Sequence, residues 1–200
     1  MTDDPMRTFV ALDIDDSIRQ RIRLFIEGVS GFAPDARWVR AESLHVTLKF
    51  IGEKPDDVVE RMKRALSTIQ SEPIAITVRG YGFFPTPRAA RVFWIGIDAA
   101  PSLSALAKAV DDATFALGIA KEDHPYTPHL TLARGAGRSG TPHRTRHDAS
   151  NKNFEQLQDK LGALPTPEFG TMTAREFFLY QSQLSRGGSR YTKIARFALG

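Results

Sequence analysis

Two hundred residues, 42% apolar and 25% charged, with 15 glycines and 12 prolines, match a globular chain rather than collagen, coiled coil or disorder. Cysteine is absent, which excludes disulfides, thiol catalysis and cysteine-ligated zinc, and no run of about 18 apolar residues offers a membrane span. A formal charge of +4 suits a polyanionic partner but falls short of the dense basic stripe of a duplex-DNA binder. The acidic start Met1-Thr2-Asp3-Asp4-Pro5 leads into a strand pattern and does not resemble a secretory signal, so a cytoplasmic protein is expected.

In chain order, Arg7–Ile14 reads as a buried strand and Ser17–Val29 as an amphipathic helix with Ile18, Ile22, Phe25, Ile26 and Val29 on one face. Trp38-Val39 and Leu44–Ile51 follow as strands. Asp56–Gln70 is a second helix with Val59, Met62, Leu66 and Ile69 inward. Ile74–Arg79 is predicted as a strand, and Gly80–Arg88 as an aromatic, proline-rich loop. Arg91–Ile97 is a strand, and Pro101–Leu117 a helix with proline in its first turn and Gly118 as its stop. Thr127–Ala133 is a strand, 135–152 a Gly- and Arg-rich loop, and Asn153–Leu161 a short helix. Two closing strands, Thr173–Gln181 and Ser189–Ala198, flank a Gly187-Gly188 turn.

Two of these strands carry the same signature, Leu44-His45-Val46-Thr47-Leu48 and Pro128-His129-Leu130-Thr131-Leu132. Side chains at i and i+2 share a strand face, so each His projects with its Thr while the apolar neighbours face a core. Facing one cleft, the two strands supply a general acid, a general base and two hydroxyl donors for a phosphate, with no metal required. The same interval separates Phe9 from His45 and Phe93 from His129, and both segments read strand–helix–loop–strand. That weak repeat predicts two similar lobes about a pseudo-twofold axis. His143-Arg144-Thr145 has the same spacing but lacks strand context, and His124, beside Asp123 and Pro125, and His147 read as loop residues.

These residues resemble the 2H phosphoesterase superfamily, and within it the RNA 2′,3′-cyclic phosphodiesterases, often labelled 2′-5′ RNA ligases. The likeness runs from Arg7-Thr8-Phe9-Val10-Ala11-Leu12-Asp13 through Leu48-Lys49-Phe50-Ile51-Gly52-Glu53, Gly82-Phe83-Phe84-Pro85 and Tyr126-Thr127-Pro128-His129 to Tyr180-Gln181-Ser182. It implies an α+β, bilobal 2H phosphoesterase fold: two pseudo-twofold-related antiparallel-sheet lobes with outer helices and a central cleft, with residues 1–200 forming a single domain of two intertwined lobes. It implies metal-independent hydrolysis of an RNA 2′,3′-cyclic phosphate to a 2′-phosphomonoester, with reversible 2′-5′ ligation. No cofactor is expected. The partners are RNA with a 2′,3′-cyclic phosphate or 2′-phosphate end, tRNA fragments among the candidates, acted on by a monomer.

On that resemblance His129 is the base on water and His45 the acid at the 3′ oxygen, the pseudo-symmetric cleft leaving the opposite order open. Thr47 and Thr131 donate to the phosphate oxygens, worth about 3–4 kcal/mol for a well-placed donor. Arg134 resembles the family's phosphate-clamping arginine, but strict alternation sets it with Leu130 and Leu132 on the core side unless the strand bends near Ala133. Lys49 shares parity with His45 and Thr47, placing it to steer RNA or to sit solvated. Phe83, Phe84 and Tyr126 are candidate stacking partners for a terminal base, with one phenylalanine expected in the core. Arg37, Arg40, Arg88, Arg138, Arg144 and Arg146 are candidates for upstream phosphates.

Two other classes compete: a non-catalytic RNA-end binding module using the same cleft, and a phosphodiesterase for another cyclic or 2′-5′-linked nucleotide. A metal-dependent phosphodiesterase is least favoured, since no carboxylate–histidine cluster occurs in the sequence.

Overall fold

The computed structural model of the chain describes residues 5–135, 154–185 and 188–200. The elements are β1 (Met6–Leu12), α1 (Asp16–Val29), β2 (Arg37–Trp38), β3 (Val46–Lys54), α2 (Asp56–Leu66), β4 (Ile74–Phe84), β5 (Val92–Ala99), α3 (Pro101–Phe115), β6 (His129–Arg134), α4 (Glu155–Gly162), β7 (Glu168–Ala174), β8 (Glu176–Ser185) and β9 (Gly188–Ala198). The strands form a four-stranded sheet in the order β3-β1-β8-β9 and a five-stranded sheet in the order β2-β6-β5-β4-β7. Every pairing is antiparallel, giving the α+β architecture expected from the sequence.

The repeat is visible in the topology. A strand, a helix and an adjacent antiparallel strand recur as β1-α1-β3 and β5-α3-β6, each ending in a His-x-Thr strand. The halves also exchange strands. β2 leaves the first half to pair with β6 of the second sheet, Trp38 opposite Ala133, and Val39 N–H donates to Leu132 O at 2.7 Å. The segment that enters the first motif is therefore stitched to the strand that carries the second.

Burial explains the helices. α1 sinks Ile18, Ile22 and Val29, α2 sinks Val59, Met62 and Leu66, and α3 sinks Leu103, Leu106, Ala107 and Val110, the spacing of one apolar stripe. These residues join Val10, Leu12, Val46, Leu48, Phe93, Leu130 and Leu132 in one core that spans both sheets. α3 begins with Pro101 and stops before Gly118, whose φ of +83° suits glycine in the left-handed region.

Three sequence expectations need correction. The stretch Gly80–Phe84 is strand rather than loop: β4 continues past a register shift after Val78 to pair Phe83 with Phe93 and Phe84 with Val92. Proline and glycine density masked it, although Gly82 is required there, because a Cβ would lie 2.2 Å from the Trp94 ring. The closing region holds three strands, since the chain changes sheet at Arg175, between β7 and β8. α2 stops at Leu66 rather than reaching Gln70. The β8–β9 hairpin pairs Ser185 with Gly188, and Gly187 lies outside the described residues.

Candidate active site

Each motif histidine stands at the mouth of its strand. In both cases Nδ1 sits 2.7 Å from the carbonyl two residues earlier, Ser43 O for His45 and Thr127 O for His129. A carbonyl only accepts, so each Nδ1 carries hydrogen and the lone pair of each neutral ring is on Nε2. Both histidines, with Thr47, Thr131 and Arg134, line one cavity of about 480 Å³, shared with Arg7, Phe50 and Tyr191. Among the described residues neither threonine hydroxyl has a protein partner, which leaves both free to donate into the cavity.

The rings are held by aromatic walls. His45 packs 4.6 Å from Phe9 and edge-on to Tyr191 at 5.2 Å. His129 meets Phe84 edge-on at 5.1 Å, and Phe84 stacks on Trp94 at 4.9 Å. These walls dehydrate the imidazoles and disfavour their charged forms. Burial pushes His45 down to about 4, against opposing help from the Ser43 carbonyl and Asp13, while His129 and Arg134 push it further down. Burial also lowers His129, with Arg134 adding to the effect.

A matched pair of bulges directs the side chains just beyond each motif. Between β1 and β3, Val10 opposes Lys49 and Ala11 opposes Thr47, so Leu48 is the extra residue. Between β5 and β6, Phe93 opposes Ala133 and Trp94 opposes Thr131, so Leu132 is the extra residue. An extra residue shifts the side-chain alternation by one. Leu48 and Lys49 are consequently both buried, as are Leu132 and Ala133. Phe50 and Arg134 then turn to the cleft, and both line the cavity. The bend that Arg134 needs is thus present.

The same bulge overturns the expectation for Lys49. Its side chain does not face RNA: it is 2% exposed, with Nζ donating to Asp111 Oδ1 at 2.5 Å and Ala120 O at 2.8 Å. Phe50, 59% exposed, takes the cleft position instead, and the alternation rule concealed it. The stacking candidates also divide. Phe83 is core rather than cleft, 7% exposed and stacked on Phe93 at 5.1 Å, because β4 extends through it. Phe84 backs His129. Tyr126 packs against the core with a buried hydroxyl that has no partner, and burial pushes that hydroxyl's pKa well up; it does not line the cavity.

Arg19 and Arg7 are the cations that sequence reasoning missed. Arg19 donates to Ala41 O at 2.6 Å and Leu44 O at 3.4 Å, and its other amine pairs with Asp13 at 2.6 Å. It thus ties α1 to the turn that presents His45. Arg7 lines the cavity from the start of β1, whereas Arg37, opposite Arg134 across β2–β6, and the exposed Arg40 and Arg88 lie outside its lining. His124 is exposed and away from it. His143, Thr145, His147, Arg138, Arg144 and Arg146 lie outside the described residues. Among the described residues no group of three His, Cys, Asp or Glu side chains is placed to hold a metal ion, and no helix is long and apolar enough to cross a membrane.

Two sheets that each carry a His-x-Thr strand into one cleft are the architecture of the paired-histidine phosphoesterases. The family described as LigT like Phosphoesterase matches residues 12–94 and again 95–191, and the chain belongs to that family. A protein of Archaeoglobus fulgidus named RNA 2′,3′-cyclic phosphodiesterase is 33% identical over 192 residues, 96% of this chain and 99% of that one. The protein of that name from Escherichia coli is 29% identical over 98% of both chains. The crystal structure of E. coli LigT complexed with 3′-AMP superposes with a TM-score of 0.76 at 28% identity, covering 98% of this chain and 99% of that one.

Proposed function

We propose that this protein hydrolyses RNA 2′,3′-cyclic phosphate ends to 2′-phosphomonoesters without a metal, and runs the related 2′-5′ ligation reversibly. The observation that carries the reading is the convergence of His45, Thr47, His129, Thr131 and Arg134 on one cavity. His129 Nε2 takes a proton from water, whose oxygen attacks phosphorus. The bond from phosphorus to O3′ breaks, and His45 gives its proton to O3′, leaving a 3′ hydroxyl and a 2′-phosphate. In the free cleft burial holds His45 at about 4, so it gains its proton as the phosphate anion enters and offsets the field of Arg134 and His129. Thr47, Thr131 and Arg134 donate to the non-bridging oxygens. Phe50 offers the terminal base its ring face.

Chain 1–200 acts in this reading as one domain of two intertwined lobes and as a cytoplasmic monomer, with tRNA fragments among its substrates. The test is a short RNA ending in a 2′,3′-cyclic phosphate, incubated in excess EDTA and followed by ³¹P NMR. A 2′-phosphomonoester is the expected product. A 3′-phosphomonoester, or tight binding without turnover, would overturn the proposal.

A further inference from the structure

Contacts on both sides of β1 fix which of its side chains face the cleft. The Phe9 ring lies 4.6 Å from that of His45 and 6.1 Å from that of Phe50, on the cleft face, whereas Met6, Val10 and Leu12 pack into the core. The two irregularities of the β1–β3 pairing place their extra residues, Leu48 and Ile51, on β3, so alternation along β1 is unbroken. Arg7 therefore projects from the cleft face together with Phe9 and Ala11, and it lines the cavity. Glu53 stands opposite it in register, yet among the described residues neither a carboxylate nor a carbonyl engages its guanidinium. Its donors are left for a ligand.

We infer that Arg7 reads the terminal base of the RNA and selects guanine. The inference rests on the reaction proposed above, and the register of β1 supplies its ruler. Ala11 lies opposite Thr47, Phe9 opposite Phe50, and Arg7 comes next on the same face, each step of two residues advancing about 7 Å. Thr47 meets the phosphate and Phe50 the face of the base, so Arg7 stands where the edge of the base remote from the phosphate arrives. A guanidinium fork presents two parallel N–H donors. Guanine sets two acceptors, O6 and N7, side by side on one edge and takes that fork bidentately. Adenine carries an amino donor in place of O6, and the pyrimidines have no N7, so none of the other three bases completes the pair.

The test measures kcat/KM in EDTA on four short RNAs that end in a 2′,3′-cyclic phosphate and differ only in the terminal base, using the wild type and Arg7→Lys. The wild type is expected to favour the guanosine end over the adenosine end by about tenfold or more, the scale of one bidentate arginine–guanine contact. A 7-deazaguanosine end, which lacks the N7 acceptor, is expected to lose most of that advantage. Arg7→Lys keeps the charge and loses the fork, and is expected to narrow the ratio to about twofold or less, chiefly by raising KM for the guanosine end. Wild-type rates within about threefold of one another, or a preference for another base, would overturn the inference while leaving the hydrolase intact. An equal loss on all four RNAs in the variant would put the guanidinium on the backbone and overturn base reading. A guanosine advantage that survives in Arg7→Lys would overturn Arg7 as its source. No turnover of any of the four by the wild type would overturn the phosphodiesterase reading itself, and base selection with it.

Discussion

Lys49→Met tests the bulge that shapes the first motif. The substitution keeps the volume of a side chain that is 2% exposed and deletes its ammonium. Two acceptors lose their donor, Asp111 Oδ1 and Ala120 O. Breaking a fully buried ion pair costs about 3–5 kcal/mol. The Asp111 side chain is 19% exposed and still accepts from Glu122 N–H at 3.3 Å, so it rehydrates in part and the lower end applies. A loss of about 3 kcal/mol is expected, equivalent to roughly 6–12 °C in Tm for a chain of this size. Urea unfolding at pH 7 measures it. Lys49→Met/Asp111→Leu removes both charges, and is expected to recover more than half of the loss. A single-variant loss below about 1 kcal/mol, or a double variant as unstable as the sum of its parts, would refute the buried pair as the anchor of β3 on α3.

In the proposed mechanism the active form carries one proton across two imidazoles. Because burial lowers both histidines below the ordinary 6.5, His45 to about 4, the free enzyme gains that proton only in acid solution; kcat/KM is expected to fall as pH rises toward neutrality. Bound phosphate raises both groups, so kcat holds to higher pH, and coincident kcat and kcat/KM profiles would contradict this account. Arg134→Gln is expected to lower kcat/KM by about 10²-fold, the scale of one transition-state donor, and to move both histidine titrations upward in NMR because its charge depresses both. Arg19→Lys keeps the charge but loses the fork that holds Ala41 O and Asp13 together. Steady-state kinetics are expected to give a roughly tenfold lower kcat with KM little changed, and an unchanged kcat would remove Arg19 from positioning His45.

The motif strands and the outer helices were legible because each rests on a local period, two for the strands around His45 and His129 and near 3.6 for Ile18, Ile22 and Val29, and the repeat because one interval separates Phe9 from His45 and Phe93 from His129. What escaped depends on pairing between distant segments. Lys49 and Phe50 exchange faces because Leu48 has no partner on β1, and nothing within Leu44–Ile51 announces that bulge. Arg134 is only a conditional candidate in the sequence for the same reason, the condition being Leu132 against β5. The strand through Gly80–Phe84 was hidden by loop-forming residues whose purpose is tertiary, Gly82 making room for Trp94. Arg19 was invisible as a site residue because its partners are backbone carbonyls of a turn far along the chain.

In the proposed reaction His45 and His129 act as one acid–base unit on a cyclic phosphate. Single-turnover hydrolysis of a 2′,3′-cyclic-phosphate RNA, in EDTA, by wild type, His45→Ala, His129→Ala and the double variant tests it most directly. Each single variant is expected to lose at least about 10³-fold, and the double variant little more than either, because groups that act together fail together. A single variant within about tenfold of wild type, or losses that multiply in the double variant, would contradict the account.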